Sequence, residues 1–294
     1  MTISGKYRVY GDGKLISEFP NVITNSGKIA IGKYLADERT SWGDVMVFGV
    51  GDSTPNATNN KLDLEVWRES VDMKTYVTAS GQIVARSIVP SSLVSKIYEM
   101  GLYCTLTTET TTSSGPIITG FDQASEVWSS GVFDTANRRA GSSSLKLSPT
   151  TGTPASSSTQ MYGSISVYPN TTIFNLGYQI LSGTADLVKI QLKSSADTYR
   201  EYSFVPTASS EYQIESWGLS DTTLTGNAAW TEFSEIYVEV EGNGEFMFDV
   251  LTGFVPPEGS VLVSRALVSH EGNPFIDKEQ YKELQAEYII DLGI

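Results

Sequence analysis

The stretch IYVEVEGNGEFMFDV, residues 236–250, decides the fold. In its first half Ile236, Val238 and Val240 alternate with Tyr237, Glu239 and Glu241. In its second half Phe246, Phe248 and Val250 alternate with Glu245, Met247 and Asp249. A period of two marks an extended strand with one dry and one wet face, because successive side chains point to opposite sides of a sheet. Gly242-Asn243-Gly244 between the halves is turn chemistry, so the stretch predicts a β-hairpin.

The same period recurs upstream, where Val188, Ile190 and Leu192 alternate with Lys189, Gln191 and Lys193. Further short strands are expected at 144–147, 163–168, 173–180, 200–205 and 211–217, a spacing suited to a two-layer β-sandwich. Residues 148–159, SPTTGTPASSST, are low in complexity and predict a long exposed loop within that sandwich.

Outside this block the pattern changes. Asn25-Ser26-Gly27 precedes 28–36, where Ile31, Tyr34 and Leu35 share a helical face and Asn25 is placed to cap it. Strands are expected at 45–50, 82–88 and 95–106, with turn chemistry at 51–56. Residues 105–116, TLTTETTTSSGP, read as a linker, and Pro256-Pro257-Glu258-Gly259 interrupts any central strand. Beyond it, 260–268 is strand-like. Leu284, Ala286, Tyr288, Ile290 and Leu292 then alternate with polar neighbours, which favours a strand over a helix beginning near Asp277. Two strands cannot bury a face alone, so this tail must complete a sheet begun before residue 116. The expected fold class is mainly β: a discontinuous α+β domain of residues 1–116 and 257–294 with one short helix, into which a jelly-roll β-sandwich of residues 117–256 is inserted.

Composition narrows the function. The 294 residues carry a formal net charge of −14, and no cluster of Lys and Arg interrupts that acidity, so binding along a nucleic-acid backbone is not expected. The single cysteine, Cys104, excludes an intrachain disulfide and a thiolate-rich zinc site, and its apolar neighbours read as a buried setting. No run of roughly 18 apolar residues is present, and the first residues lack the apolar core of a signal peptide, so neither membrane insertion nor standard secretion is expected.

Two resemblances follow. Asn21-Val22-Ile23-Thr24-Asn25-Ser26-Gly27, then Phe48-Gly49-Val50-Gly51-Asp52-Ser53-Thr54-Pro55, Leu64-Glu65-Val66-Trp67-Arg68 and Ile97-Tyr98-Glu99-Met100-Gly101-Leu102-Tyr103 resemble, in order and spacing, an N-terminal module of phage tail-fibre and collar proteins. Ser264-Arg265-Ala266 followed by Asn273-Pro274-Phe275 resembles the closing strands of the same proteins. Gly120-Phe121-Asp122 near Trp128, Gly141-Ser142-Ser143-Ser144-Leu145-Lys146-Leu147 and Phe246-Met247-Phe248-Asp249-Val250 look like a galactose-binding or carbohydrate-binding-module jelly roll. The resemblances imply a structural part of a bacteriophage virion, in its tail, fibre, collar or baseplate region. Copies of itself and neighbouring virion proteins are the implied partners, and a host surface glycan is a further one.

The chemistry-bearing residues fit a protein without catalytic groups or cofactors. His270, the one histidine, sits in a turn-like stretch with no recognisable nucleophile setting, which predicts an exposed loop histidine. Trp128, Trp217 and Trp230 lie in or beside loops, where an indole can stack on a sugar ring, although the commoner use of such rings is as core anchors. Asp122, Asp249 and Glu245 have the oxygen chemistry for a calcium ion, yet loop acids are more often simply solvated, and no metal is assigned. A carbohydrate-binding module is the second reading. A glycosidase, which needs two close carboxylates, is the third.

Overall fold

The computed structural model describes residues 4–39, 41–105, 116–123, 126–167, 172–254 and 260–291, so all but the two end residues of the expected linker at 105–116, and the proline break at 256–259, lie outside the described residues. By its internal contacts the chain divides into two compact units, unit 1 (Met1–Pro116 and Pro257–Ile294) and unit 2 (Ile117–Pro256).

Unit 1 opens with strands β1 (Ser4–Gly11), β2 (Lys14–Pro20) and β3 (Val22–Ile23). Asp12 and Gly13 between the first two take φ of 49° and 79°, the left-handed pair that a two-residue hairpin requires. Helix α1 (Asn25–Leu35) follows, capped by Thr24 rather than Asn25: the Thr24 hydroxyl oxygen accepts from the Gly27 amide at 2.8 Å. Ala30 and Ile31 are buried, but Tyr34 and Leu35 are 41% and 70% exposed, against the expected face. The helix turns instead on Gly27, whose missing side chain lets it sit directly against the Val263 backbone. Strands β4 (Val45–Gly49), β5 (Glu65–Ser70), β6 (Met73–Val77), β7 (Gln82–Val89), β8 (Lys96–Ile97) and β9 (Glu99–Cys104) complete the first passage.

Unit 2 contains β10 (Ile117–Thr119), β11 (Val132–Asp134), β12 (Ser144–Leu147), β13 (Ala155–Ser166), β14 (Ile173–Ser195), β15 (Thr198–Phe204), β16 (Tyr212–Gly218), β17 (Thr223–Thr225) and β18 (Glu232–Phe254). The expected hairpin at 236–250 is not formed. Residues 232–254 are one continuous strand that runs antiparallel to β14 through Gly183↔Gly244, Thr184↔Asn243 and Ala185↔Gly242. Gly183, Gly242 and Gly244 have φ of 73°, 144° and 142°, and a Cβ on any of them would collide with a carbonyl of the facing strand. The glycines therefore serve a shared bend of two 23-residue strands rather than a turn.

That bend folds one nine-stranded sheet into two layers. The first half of β14 pairs with β16 and its second half with β15. Tyr202 of β15 stacks on Trp217 of β16 with centroids 4.5 Å apart, across the interior. Phe174, Leu176, Val188, Ile190, Ile236, Val238, Phe246 and Phe248 share that one core. Alternation breaks at Asp249: Gly177 pairs with Val250 and Tyr178 with Phe248, leaving Asp249 in a bulge. The one-residue slip sends Leu251, not Val250, into the core cluster. The expected loop at 148–159 is also corrected, because 155–159 begin β13 and pair with β18, with Ser157 and Thr159 buried. Small hydroxyl side chains hide an inward alternation that apolar residues would have displayed.

The chain then returns to unit 1 with β19 (Val261–Leu267), β20 (Ile276–Asp277) and β21 (Leu284–Asp291). β21 lies between β1 and β7 in the sheet β2-β1-β21-β7-β6, and β19 lies between β3 and β9 in the sheet β3-β19-β9-β4-β5. Both returning strands are thus interior members of sheets whose other strands precede residue 105. Among the described residues, no helix is long and apolar enough to cross a membrane.

Candidate functional site

In the second layer of unit 2, the alternation that buries Ile190 and Val238 turns the intervening residues outward. The register sets Lys189 opposite Glu239, Gln191 opposite Tyr237 and Lys193 opposite Glu235; Gln191 also faces Glu201 of β15, and Tyr237 faces Ser158 of β13. These side chains lock one another. Lys189 Nζ lies 2.8 Å from Glu239 and 2.7 Å from Glu241, the Gln191 amide donates to Glu201 at 2.7 Å, and the Tyr237 hydroxyl donates to Glu239 at 2.6 Å. Lys193 Nζ sits 4.5 Å from the Tyr237 ring centre.

The electrostatics follow from those contacts. The hydrogen bonds that Lys189 donates to Glu239 and Glu241 raise its pKa. Burial works against the Glu239 carboxylate, but hydrogen bonds from Lys189 and Tyr237 outweigh it and hold Glu239 below its ordinary value. Burial and the bond to Glu239 push the Tyr237 hydroxyl up. The face is a polar, partly charged platform with an aromatic ring near its middle.

At the β13 edge the platform runs into a cleft of about 510 Å³ lined by Glu126, Val127, Ser129, Ser158, Gln160, Met161 and Tyr162. Residues 129 and 130 form its wall by running beside β13, with the Ser129 amide donating to the Ser158 carbonyl and the Ser130 amide to the Ser157 hydroxyl. Gln160 joins cleft to platform by donating to Glu235 at 2.6 Å. Val127 is 88% exposed and the Tyr162 ring stands wholly in solvent. Glu126 accepts from the Gly120 amide, the Thr119 hydroxyl and the Trp128 indole at 2.5–3.0 Å, and burial keeps its pKa raised despite them.

No family model and no curated protein matches the chain. Among solved structures it is similar to the family 11 carbohydrate-binding module of Clostridium thermocellum in complex with a β-1,3-1,4-mixed-linked tetrasaccharide: 12% identity over 44% of this chain and 84% of that one, TM-score 0.32. TmCBM61 in complex with β-1,4-galactotriose matches at 15% identity over 46% of this chain and 94% of that one, TM-score 0.31. The enzymatically active domain of tailspike protein 4 of bacteriophage CBA120 matches at 16% identity over 45% of this chain, TM-score 0.30, and the match spans only 19% of that chain.

The tryptophans singled out as stacking candidates are core residues. Trp128, Trp217 and Trp230 are buried and belong to the apolar cluster of unit 2. Trp128 stacks on Phe121, Trp217 on Phe174 and Tyr202, and Trp230 on Phe233, so their ring faces are already covered. Closing a sandwich needs large rings at its ends, and the indoles fill that need. Along the platform and cleft, the aromatics that reach solvent are the exposed Tyr162 and the partly buried Tyr237. Tyr237 was legible as the aromatic member of the polar half of an alternating strand; Tyr162 had no comparable signal.

The acids considered for calcium are spent on protein donors. Asp122 accepts from the Ser142 amide and from the Ser142 and Ser143 hydroxyls, and Glu245 pairs with Lys146 at 2.9 Å. Asp249, expected on the wet face, is fully buried and accepts from the amides of Arg139 and Ala140 and from the Tyr212 hydroxyl. Among the described residues, no three His, Cys, Asp or Glu side chains gather as metal ligands would. His270 is half-buried rather than exposed: Nδ1 meets the Ile16 carbonyl at 2.9 Å and Nε2 the Tyr281 hydroxyl at 3.3 Å. Cys104 is buried, and burial pushes its thiol up to about 11.

In unit 1, residues from four of the quoted motifs, Ser53, Leu64, Glu99 and Arg265, meet around a buried ion pair. Arg265 Nε donates to Glu99 at 2.8 Å, and both side chains have no solvent exposure. Arg265 also reaches Asp63 at 2.5 Å and the Ser53 carbonyl at 3.1 Å. Glu99 in turn accepts from the amides of Gly51, Asp63 and Leu64.

Proposed function

We propose that unit 2 is a non-catalytic glycan-binding module whose ligand lies along the outward platform and ends in the cleft beside Tyr162. The observation that carries this reading is the platform itself. Amide, carboxylate and ammonium groups are pre-ordered by hydrogen bonds across and along the strands around Tyr237, so little side-chain freedom is lost when sugar hydroxyls engage them. Binding rather than hydrolysis is supported by the acids present. Glu239 is held ionised, which unsuits it as a proton donor, and the cleft lining contains one carboxyl, Glu126, where glycoside hydrolysis uses a pair. Unit 1 is then the attachment part, placed in a bacteriophage particle. Support for that placement comes from the resemblance of its motifs, four of which contribute residues to the network around Arg265 and Glu99.

Affinity electrophoresis of the intact protein through gels containing neutral β-glucan, galactan or bacterial lipopolysaccharide tests the reading. At least one polysaccharide should retard the protein, and Tyr237→Ala should weaken that retention about tenfold, the scale of one lost aromatic contact. Unretarded migration in every gel, or wild-type retention by both Tyr237→Ala and Tyr162→Ala, would refute it.

A further inference from the structure

Strand β6 forms one border of the sheet β2-β1-β21-β7-β6, and each of its five residues is exposed. Met73, Tyr76 and Val77 are 37%, 50% and 37% exposed. A border strand presents backbone N–H and C=O groups with no partner on one side, and proteins ordinarily blunt such edges with proline, a bulge or charges directed outward. β6 has none of these. It contains no proline, its pairing with β7 runs without a register shift, and its one charge, the exposed Lys74, is engaged by Asp44 and Ser41 of its own chain at 3.0 Å each. In a chain of net charge −14 this edge also carries no acid.

We infer that β6 is an interface for a second copy of this chain, paired antiparallel about a two-fold axis through Thr75. The sequence Met73-Lys74-Thr75-Tyr76-Val77 is self-complementary in that register. Met73 meets Val77 of the copy, apolar against apolar; Lys74 lies beside the Tyr76 ring; Thr75 faces its own equivalent. This edge brings no acids together, and the two copies of Lys74, which share a face diagonally, are each neutralised by Asp44 of their own chain. The result is a continuous ten-stranded sheet across two copies, an isologous contact in which main-chain hydrogen bonds supply affinity and side-chain pairs set the register.

Site-specific cross-linking reads the register directly. Facing residues of antiparallel strands have Cα atoms ~4.5–5.5 Å apart, within disulfide range. Thr75→Cys should therefore give a covalent dimer under mild oxidation, because the native Cys104 is buried. Met73→Cys should not, since its equivalents stand roughly 13 Å apart along the strands. Light scattering of the unmodified protein should show a concentration-dependent dimer that Thr75→Lys abolishes. A monomer at every concentration, or equal cross-linking of Met73→Cys and Thr75→Cys, overturns the inference. Glycan binding by unit 2 is unaffected by either result.

Discussion

Unit 1 and unit 2 are both built of antiparallel strands, yet they hide different chemistry. The interior of unit 1 holds an ion pair, Arg265 with Glu99, tied to the loop that carries Ser53 and Asp63. The largest fully buried side chains of unit 2 are rings, including Phe121, Phe174, Phe233, Phe246 and Phe248, and its lysine–glutamate pairs stand on the outside. An apolar core tolerates local adjustment, because each contact contributes a little. A buried ion pair works only when every partner is in place, since taking charges out of water costs more than an imperfect pair returns. Unit 1 therefore depends on three distant parts of the chain arriving together, and unit 2 on the alternation of one contiguous block.

The strongest way to break this comparison is Arg265→Ala, which leaves Glu99 buried without a counter-charge. Burial already raises the Glu99 pKa in the presence of Arg265, so the variant should lose about 3–5 kcal/mol from unit 1 and leave the unfolding of unit 2 unchanged. Calorimetry would show the loss in one of two transitions. An equal loss in both would mean that the two interiors do not act separately. Adding Glu99→Gln to the variant should recover part of the loss, because the stranded charge is then gone.

Asp249 departs from the apolar interior of unit 2, as an acid with no solvent exposure. Burial pushes its carboxyl from 3.8 up to about 6, against hydrogen bonds from Tyr212 and the amides of Arg139 and Ala140. With the folded pKa above the unfolded one, folding takes up a proton between these values. The contribution of Asp249 to stability is then fully present below pH 3.8 and is lost as pH rises through about 6, by on the order of 2–3 kcal/mol. Unfolding midpoints of unit 2 between about pH 4 and 7 should carry this slope, and Asp249→Asn should flatten it; an unchanged slope would show that the acid titrates as it does in the unfolded chain.

The smallest effect sharpens the bend of β14 and β18. Gly244→Ala places a Cβ against the Ser182 carbonyl at a φ of 142° and should cost about 2 kcal/mol in unit 2. Asn243→Ala should cost less than about 0.5 kcal/mol, because Asn243 is an exposed member of a continuous strand. Were 242–244 a hairpin turn, Asn243 would be the costlier site. Urea denaturation of the two variants distinguishes these cases.

Much of the architecture was readable from periodicity alone. The alternation at 236–241 and 188–193 correctly separated core from surface, and the five-step pattern at the carboxy terminus correctly marked β21 as a strand. The readings failed where two structures share one local signal. Gly242-Asn243-Gly244 fits a turn or a bend, and only Gly183, some sixty residues away, makes it a bend. Of the candidate site, only Tyr237 was legible; the three tryptophans misled because a large ring closes a core as readily as it lines a surface.

What the sequence determined by itself is therefore the mainly β class, the dry and wet faces of its strongest strands, and a formal net charge of −14. These are local or additive properties, set by neighbours one or two residues apart or by a simple sum of charge. Tertiary structure alone decided which strands pair, that Arg265 finds Glu99, that the serines of β13 face inward and that Asp249 sits in a bulge. Each of these depends on groups far apart in the chain, whose meeting is a matter of register and burial that no short window of residues encodes.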